Sequence, residues 1–447
     1  MTEQRVDVVI VGAGVTGAAI AWALGYANIQ NTVIIEKNPW VGQVNSHPMN
    51  NAQTSHDGGT ETNYGLAHAL EVKACSDMLR AYCVKRNDPL LFQKRLRMAL
   101  GVVQDEVEML HKRFMEFAPY YSDLHLAERE ELAKLEPKIM EGRDPAKPIC
   151  ALVSTEGYIV NYQRLAECLL EDAMKEAGKN NVRLEALFNT GVKSVSRNGG
   201  GFILETDTGM RFYAREVVFA AGAYSLHFAH QLGYGKEYSI LSVAGSFFSA
   251  GHLLDSKVYR CQIEGLPFAA IHGDPDILNM NDTRFGPTTK PLPLMERYHY
   301  ETLWDYLKLF LRSPWAVGHG IWSLGKILAN RRILSYVSKH FLYDLPVIGK
   351  ALFLREVRPI IPTIRYKDLK LRRGAGGIRP QIINLAKGEM IMGDVTIEGE
   401  SCLFVTTPSP GASVSVYNGM RFAKYIVHSL GEDYRFDEER FRKNLGL

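Results

Sequence analysis

Gly12-Ala13-Gly14-Val15-Thr16-Gly17 constrains this chain more than any other feature. It follows the β-branched run Val6–Val11, a buried strand bounded by glycine, and precedes Gly17–Tyr26, which reads as a helix with a packed Ala/Leu face. Asn31–Glu36 returns as a second apolar strand, and Glu36 ends it 19 residues after the last glycine. Strand, glycine turn, helix and strand open a parallel sheet with a right-handed crossover. Gly12 allows the tight turn, Gly14 lets a pyrophosphate approach the backbone, and Gly17 lets helix and strand pack closely. The helix N-terminus faces the phosphates and Glu36 accepts from ribose hydroxyls, with Val15 and Lys37 as neighbouring contacts. The chain is built to bind a dinucleotide.

Two later segments decide which one. Val217-Val218-Phe219-Ala220-Ala221-Gly222-Ala223 is a buried strand ending in small residues, suited to returning to the first sheet beside a large cofactor. Thr406-Thr407-Pro408-Ser409-Pro410-Gly411-Ala412 is a second return. There Gly411 allows close approach, and the helix starting near Ala412 stabilises negative charge on a reduced flavin. Short strands precede the first return, and Val192 on one of them joins the expected contacts with Ala221 and Gly222. Separated elements converging on one ligand favour FAD.

Length and charge narrow the rest. A chain of 447 residues predicts about two domains, and 52 basic against 49 acidic residues is too balanced for a nucleic-acid binder. Cysteines at 75, 83, 150, 168, 261 and 402 show neither CxxC nor zinc-finger spacing, so no metal site or disulfide framework is expected, and a reducing cytoplasm is. Val8–Ile35 carries no charge, but Gly12, Gly14, Gly17 and Gly25 fit the cofactor turn better than a membrane span, and Glu3 and Asp7 interrupt any basic leader.

Along the chain, Trp40–Tyr64 is a long polar segment of the kind that carries function. Helices are expected at Leu66–Lys85, at Asp105–Phe117 and from a cap at Asn161 to about Gly178. Strand-like segments at Ser239–Ala250, Val258–Ile271 and Thr283–Thr289 predict a second sheet. The expected fold is α/β, a Rossmann-type FAD-binding domain with a substrate domain on a mostly antiparallel sheet. Residues 1–85, 150–238 and 375–447 are assigned to the first, and 86–149 and 239–374 to the second, with a helical basic and aromatic insertion at about 300–355.

The sequence resembles the FAD-dependent oxidoreductases of the D-amino-acid oxidase type and, among them, is similar to the malate:quinone oxidoreductases. The resemblance is carried by Asn51-Ala52-Gln53-Thr54-Ser55-His56-Asp57-Gly58 with Glu61-Thr62-Asn63-Tyr64, and by Val243-Ala244-Gly245-Ser246-Phe247. It continues through Leu266-Pro267-Phe268-Ala269-Ala270-Ile271-His272-Gly273-Asp274-Pro275, Thr283-Arg284-Phe285-Gly286-Pro287-Thr288, Arg379-Pro380-Gln381 and Thr407-Pro408-Ser409-Pro410-Gly411. These blocks lie in order over nearly the whole chain. The resemblance implies oxidation of (S)-malate to oxaloacetate, with electrons passing through FAD to membrane quinone. Another 2-hydroxy acid, such as 2-hydroxyglutarate or lactate, and amino-acid or amine oxidation by oxygen are the alternatives.

That chemistry needs a cation for carboxylate and a base for the hydroxyl proton. Arg379 resembles the substrate-anchoring arginine of the wider family, and Arg284 is the second choice, since a guanidinium holds a carboxylate by two parallel hydrogen bonds. His56-Asp57-Gly58 and His272-Gly273-Asp274 supply two candidate bases, His56 and His272, with Asp57 and Asp274 as orienting partners. Gln53 and Thr54 are candidates for the flavin's polar atoms. Leu303–Tyr343 interleaves six Lys and Arg with three of the five tryptophans against only Asp305, so a helix lying peripherally on the inner face of the membrane is expected there.

Overall fold

The computed structural model describes residues 3–262, 270–345, 347–391, 393–407 and 410–447. The motif residues 266–269, Pro408 and Ser409 lie outside these.

The first strand, Glu3–Val11, sits in an eight-stranded sheet between Arg211–Phe219 and Asn31–Ile35. Cys402–Thr406 and Arg183–Leu187 extend it on either side, and these five strands are parallel. Val395–Gly399 adds an antiparallel edge, and Val192–Asn198 with Gly201–Thr206 forms an antiparallel flap on Arg211–Phe219. The second half of the first strand, Val8–Val11, is apolar without alternation because both its faces are covered. Val8 and Ile10 point into a core shared with helices, whereas Val9 and Val11 point into one shared with Phe202, Phe212 and Phe219.

Helix Val15–Leu24, rich in alanine, is buried at all but Thr16 because it lies between helices Tyr162–Lys179 and Ser415–Leu430. Small side chains are what allow three helices to meet over one strand. As expected, the Asn161 side chain caps the second of these by accepting from Arg164 N at 3.1 Å.

The second part is built on two sheets. One has eight strands in the order Lys370–Leu371, Phe248–Gly251, Asn279–Gly286, His272–Asp276, Lys257–Arg260, Arg97–Gly101, Cys150–Ser154 and Leu124–Glu128. All neighbours in it are antiparallel except Lys257–Arg260 with Arg97–Gly101. The other is a four-stranded antiparallel sheet of Lys290–Pro291, Tyr238–Ala244, Ile378–Asn384 and Glu389–Met390.

Three sequence expectations change here. Ser239–Ala250 is two strands in two different sheets, broken at Gly245, where a Cβ would stand 2.8 Å from Pro287 Cβ. Cys150–Ser154 and Ile378–Asn384 belong to the antiparallel sheets, although the sequence reading grouped both with the FAD-binding part. The partners that set them there, Arg97–Gly101 and Tyr238–Ala244, are far away in the chain, so no local pattern reveals the pairing. Val258–Ile271 is a strand over Lys257–Arg260 only, its later part falling partly outside the described residues. Helices Pro314–Ala329 and Arg331–Leu342 pack on the four-stranded sheet through Ala316, Ile327, Ile333 and Val337 against Leu241, Val243 and Ile383.

Candidate active site

A cavity of about 450 Å³ opens at the C-terminal ends of the parallel strands, where a doubly wound sheet binds its ligand. Gly12, Gly14, Val15, Glu36, Lys37, Val192, Ala221, Gly222 and Ala412, the expected cofactor contacts, all line it. Its floor tolerates no side chain. A Cβ on Gly12, held at φ +101°, would lie 2.6 Å from Ala220 O, and one on Gly17 would lie 1.9 Å from Gly12 O. Gly17 therefore closes the turn from below. The Glu36 carboxylate, nearly buried, accepts from Ala13 N at 2.8 Å and from Asn38 N at 2.9 Å, which fixes it at the strand end facing the cavity. Lys37 pairs with Glu296 and lies 4.7 Å over the Tyr224 ring. Ser46, outside the sequence expectations, lines the cavity and accepts from Val15 N at 3.0 Å. A cradle with bare backbone at the helix start and a carboxylate at the second strand fits FAD.

A second cavity, of about 170 Å³, shares Asn45, Pro380, Thr407 and Ala412 with the first. His56, Thr54, Thr288, Thr289 and Arg379 face it. Arg379 stands on the strand Ile378–Asn384 opposite Val243. Among the described residues its guanidinium donates no hydrogen bond and forms no ion pair, although burial in the protein pulls its pKa down from the ordinary arginine value. The neighbouring Tyr64 and Tyr336 act against that pull. Its side chain is partly exposed to the cavity, where a guanidinium can meet a bound anion.

His56 presents a different arrangement from the one expected. Its Nδ1 lies 2.8 Å from Glu61 Oε1, and its backbone N–H donates to Ser413 Oγ at 2.9 Å. Burial alone would raise the Glu61 carboxyl, but the Arg97 guanidinium, 3.6 Å away, and the His56 hydrogen bond hold it at about 2. An ionised carboxylate only accepts, so Nδ1 carries the proton and Nε2 is left as the acceptor.

The other candidates are placed elsewhere. Asp57 does not orient His56: its carboxylate pairs with Arg97, takes a hydrogen bond from Arg80 at 3.2 Å and accepts from Gly59 N. Arg284 and His272, each about 1% exposed, line neither cavity. Arg284 donates to Asp274 Oδ2 at 2.7 Å and to the carbonyls of Pro48 and Asn51, so it anchors the polar segment rather than a ligand. Burial first, and then the Lys257 charge, press the His272 pKa well below its ordinary value. Its Nδ1–H donates to Ala270 O at 3.3 Å, and Asp274 serves Arg284 and Lys257 as well as His272. Strand His272–Asp276 starts at this histidine and turns it into the sheet.

Gln53 and Thr54 do line the second cavity, but the Gln53 side chain is spent on Pro48 O, Asp276 and Ile277 N. The Thr54 hydroxyl donates to Ala52 O and is met by Tyr259 OH, 3.3 Å away. Gly411 precedes Ala412, which faces both cavities.

A cofactor cradle on a parallel sheet, opening into a small site roofed by an antiparallel sheet, defines a flavin-dependent oxidoreductase. The chain belongs to the family of FAD dependent oxidoreductases (DAO), whose model matches residues 7–415. Its cofactor is FAD. Among curated proteins it is 35% identical to the probable malate:quinone oxidoreductase of Campylobacter jejuni, with all of both chains covered. It is 32% identical to the malate:quinone oxidoreductase of Helicobacter pylori strain J99, covering 99% of this chain and 98% of that protein. Glycine oxidase from Geobacillus kaustophilus shares the fold, with TM-score 0.66, 18% identity and 98% of each chain covered. So does the FAD-bound L-alpha-glycerophosphate oxidase of Mycoplasma pneumoniae, with TM-score 0.65, 17% identity and 97% of each covered.

Proposed function

We propose that this protein is a FAD-dependent malate:quinone oxidoreductase that converts (S)-malate to oxaloacetate and reduces quinone to quinol. Malate gives up two electrons and two protons, and the quinone takes up the same number. The full-length similarity to malate:quinone oxidoreductases supports the reaction. The observation that carries it in this chain is the pairing, around one small cavity, of an unpartnered arginine with a carboxylate-backed histidine. At about 170 Å³ that cavity is smaller than the about 300–1,000 Å³ of drug-sized sites, in keeping with a small acid.

FAD, when bound, supplies the two-electron acceptor that no side chain provides. Gly12, Gly14, Val15, Glu36 and Ser46 would hold its dinucleotide part, and Ala412 stands where the two cavities join. Arg379 binds a substrate carboxylate and fixes the acid's orientation. His56 takes the C2 hydroxyl proton on Nε2, and Glu61 holds the ring in the required tautomer. Asn45, Asn50, Asn51, Thr288 and Thr289 line the same space and offer hydrogen bonds to the second carboxylate. Quinone is a membrane lipid, so the protein works at a membrane. No helix among the described residues is long and apolar enough to cross one, and the segment 303–343 is the part of this proposal that meets the lipid surface.

The test is anaerobic mixing of the yellow protein with (S)-malate, followed by a water-soluble quinone. Bleaching of the flavin by malate and recovery with quinone are expected, and a flavin that dithionite reduces but malate does not would overturn the assignment. In Arg379→Leu, loss of two charge-assisted hydrogen bonds predicts a fall in kcat/KM for malate of about 10²-fold or more, with flavin content unchanged.

A further inference from the structure

His340 has no part in the reaction as assigned and does not line the substrate cavity, yet it is bonded to the cavity wall. It stands on the inner side of helix Arg331–Leu342, at 3% exposure. Tyr336 stacks on its ring at 4.1 Å, and Tyr343 meets it edge-on at 5.0 Å. The helix covers the four-stranded sheet on the face that carries Leu241, Val243 and Ile383. Arg379 pairs with Val243 across that sheet, so its side chain leaves from the same face.

The bond runs from Thr289 N, which donates to His340 Nδ1 at 2.7 Å. Burial, and after it the Lys339 charge, press the His340 pKa down to about 3. The ring is therefore neutral, with its proton on Nε2 and Nδ1 as a steady acceptor. Burial raises the Tyr336 hydroxyl to about 12, against a hydrogen bond with the Thr289 side chain and the Arg379 charge. A neutral phenol donates to the Thr289 oxygen and leaves the Thr289 hydrogen for a ligand. Thr289 is thus gripped at its main chain by His340 and at its hydroxyl by Tyr336. Its neighbour Thr288 donates its N–H to Ser246 O at 2.9 Å and accepts at its hydroxyl from Ser246 N at 2.8 Å. Both threonines line the substrate cavity.

We propose that His340 is a positioning residue which, by fixing Thr289 opposite Arg379, makes the site select a diacid over a monocarboxylate. Lys290–Pro291, which Thr289 precedes, and Ile378–Asn384 flank Tyr238–Ala244 on opposite sides. Thr289 therefore stands two strand spacings, about 10 Å, from the strand of Arg379. A diacid held at Arg379 by one carboxylate turns the other across this gap to the hydroxyls of Thr288 and Thr289. Because His340 and Ser246 already hold the main chain there, the hydroxyls are in place before the acid arrives, and little ordering is left for binding to offset. A monocarboxylate makes the Arg379 contact alone and gains nothing from the wall. The inference rests on the assigned reaction for the identity of the acid.

Titration of the flavin-loaded protein with succinate and with butyrate, followed by flavin absorbance, tests this. The two acids match in carbon number and differ in the second carboxylate. The parent is expected to bind succinate the more tightly. His340→Leu, close in volume but without the acceptor, should weaken succinate by about tenfold or more and leave butyrate affinity and flavin content unchanged. His340→Asn, with a carbonyl oxygen at the place of Nδ1 along the side chain, should recover most of the succinate affinity. Should His340→Leu not fold, His340→Gln, whose oxygen sits one bond further out, takes its place with the same expectation. A parent without preference, unchanged succinate binding in His340→Leu, or a loss shared equally by both acids would overturn the proposal. So would a His340→Asn variant no better than His340→Leu. Failure of malate to bleach the flavin is a separate readout, which condemns the assigned reaction and leaves the succinate comparison standing.

Discussion

At the His56 imidazole, the Glu61 carboxylate sits 2.8 Å from Nδ1 and is itself braced by Arg97. Because the Glu61 pKa is depressed from 4.5 to about 2, its ionised form is favoured by folding. That contribution is fully present above about pH 4.5 and is lost as the pH falls through about 2. Glu61→Gln should therefore be less stable than the parent near neutrality, with the gap closing between pH 4.5 and 2. Denaturant midpoints at stepped pH measure this, and a gap that stays constant would mean that the charge is not its source. The same variant should lower kcat by about 10²-fold with little change in KM, because the proposed base loses its partner while the acid keeps its proposed anchor at Arg379. Asp57, adjacent to His56 in sequence, cannot substitute, since its oxygens already serve Arg97, Arg80 and Gly59 N.

Among the elements, the glycine turn and the helix behind it tolerate least change. A methyl on Gly17 would collide with Gly12 O, a backbone atom that cannot move without pulling Gly12 off Ala220. Gly17→Ala should fold, because the sheet's two cores are formed by other residues, but should purify without flavin. Absorbance of the purified protein decides this, and a fully yellow variant would count against the close-packed turn as the cofactor cradle. This element was readable directly in the sequence, as was the Asn161 cap, because both depend on residues within a few positions of each other. The polar segment Trp40–Tyr64 was readable as functional but not in its detail. Its carbonyls at Pro48, Asn51, Ala52 and Ser55 are held by Arg284, Lys257 and Arg97, cations from distant strands.

Over the whole molecule, those buried cations join the antiparallel sheet to the segment that lines the active-site cavity. Arg284, Lys257, Asp274 and Asp276 form a nearly solvent-free network in which each acid has more than one cation. Removing one member leaves buried charge undercompensated. Arg284→Ala is predicted to cost about 3 kcal/mol or more of stability, and to loosen the Pro48–Asn51 stretch beside the substrate cavity. Thermal unfolding together with KM for malate measures both effects. Lower stability with an unaltered KM would confine Arg284 to a purely structural part, whereas unaltered stability would contradict the network itself.

The sequence by itself determined the glycine turn and the cavity it floors, the proposed cofactor site. Strand, Gly12, Gly14 and Gly17, helix and Glu36 are local, and backbone sterics with strand and helix periodicity suffice to place them. It also brought Arg379 and His56 into consideration through residue type and motif. Only the tertiary structure decided that His56 pairs with Glu61, that His272 and Arg284 are turned into a buried charge network, and that Arg379 is left without an ion-pair partner among the described residues. The charge network depends on which strands lie side by side, whereas Glu61 reaches His56 within one folded polar segment. Asp274 takes Arg284 across a hairpin and Lys257 from the next strand, and no period or spacing in the chain encodes those pairings.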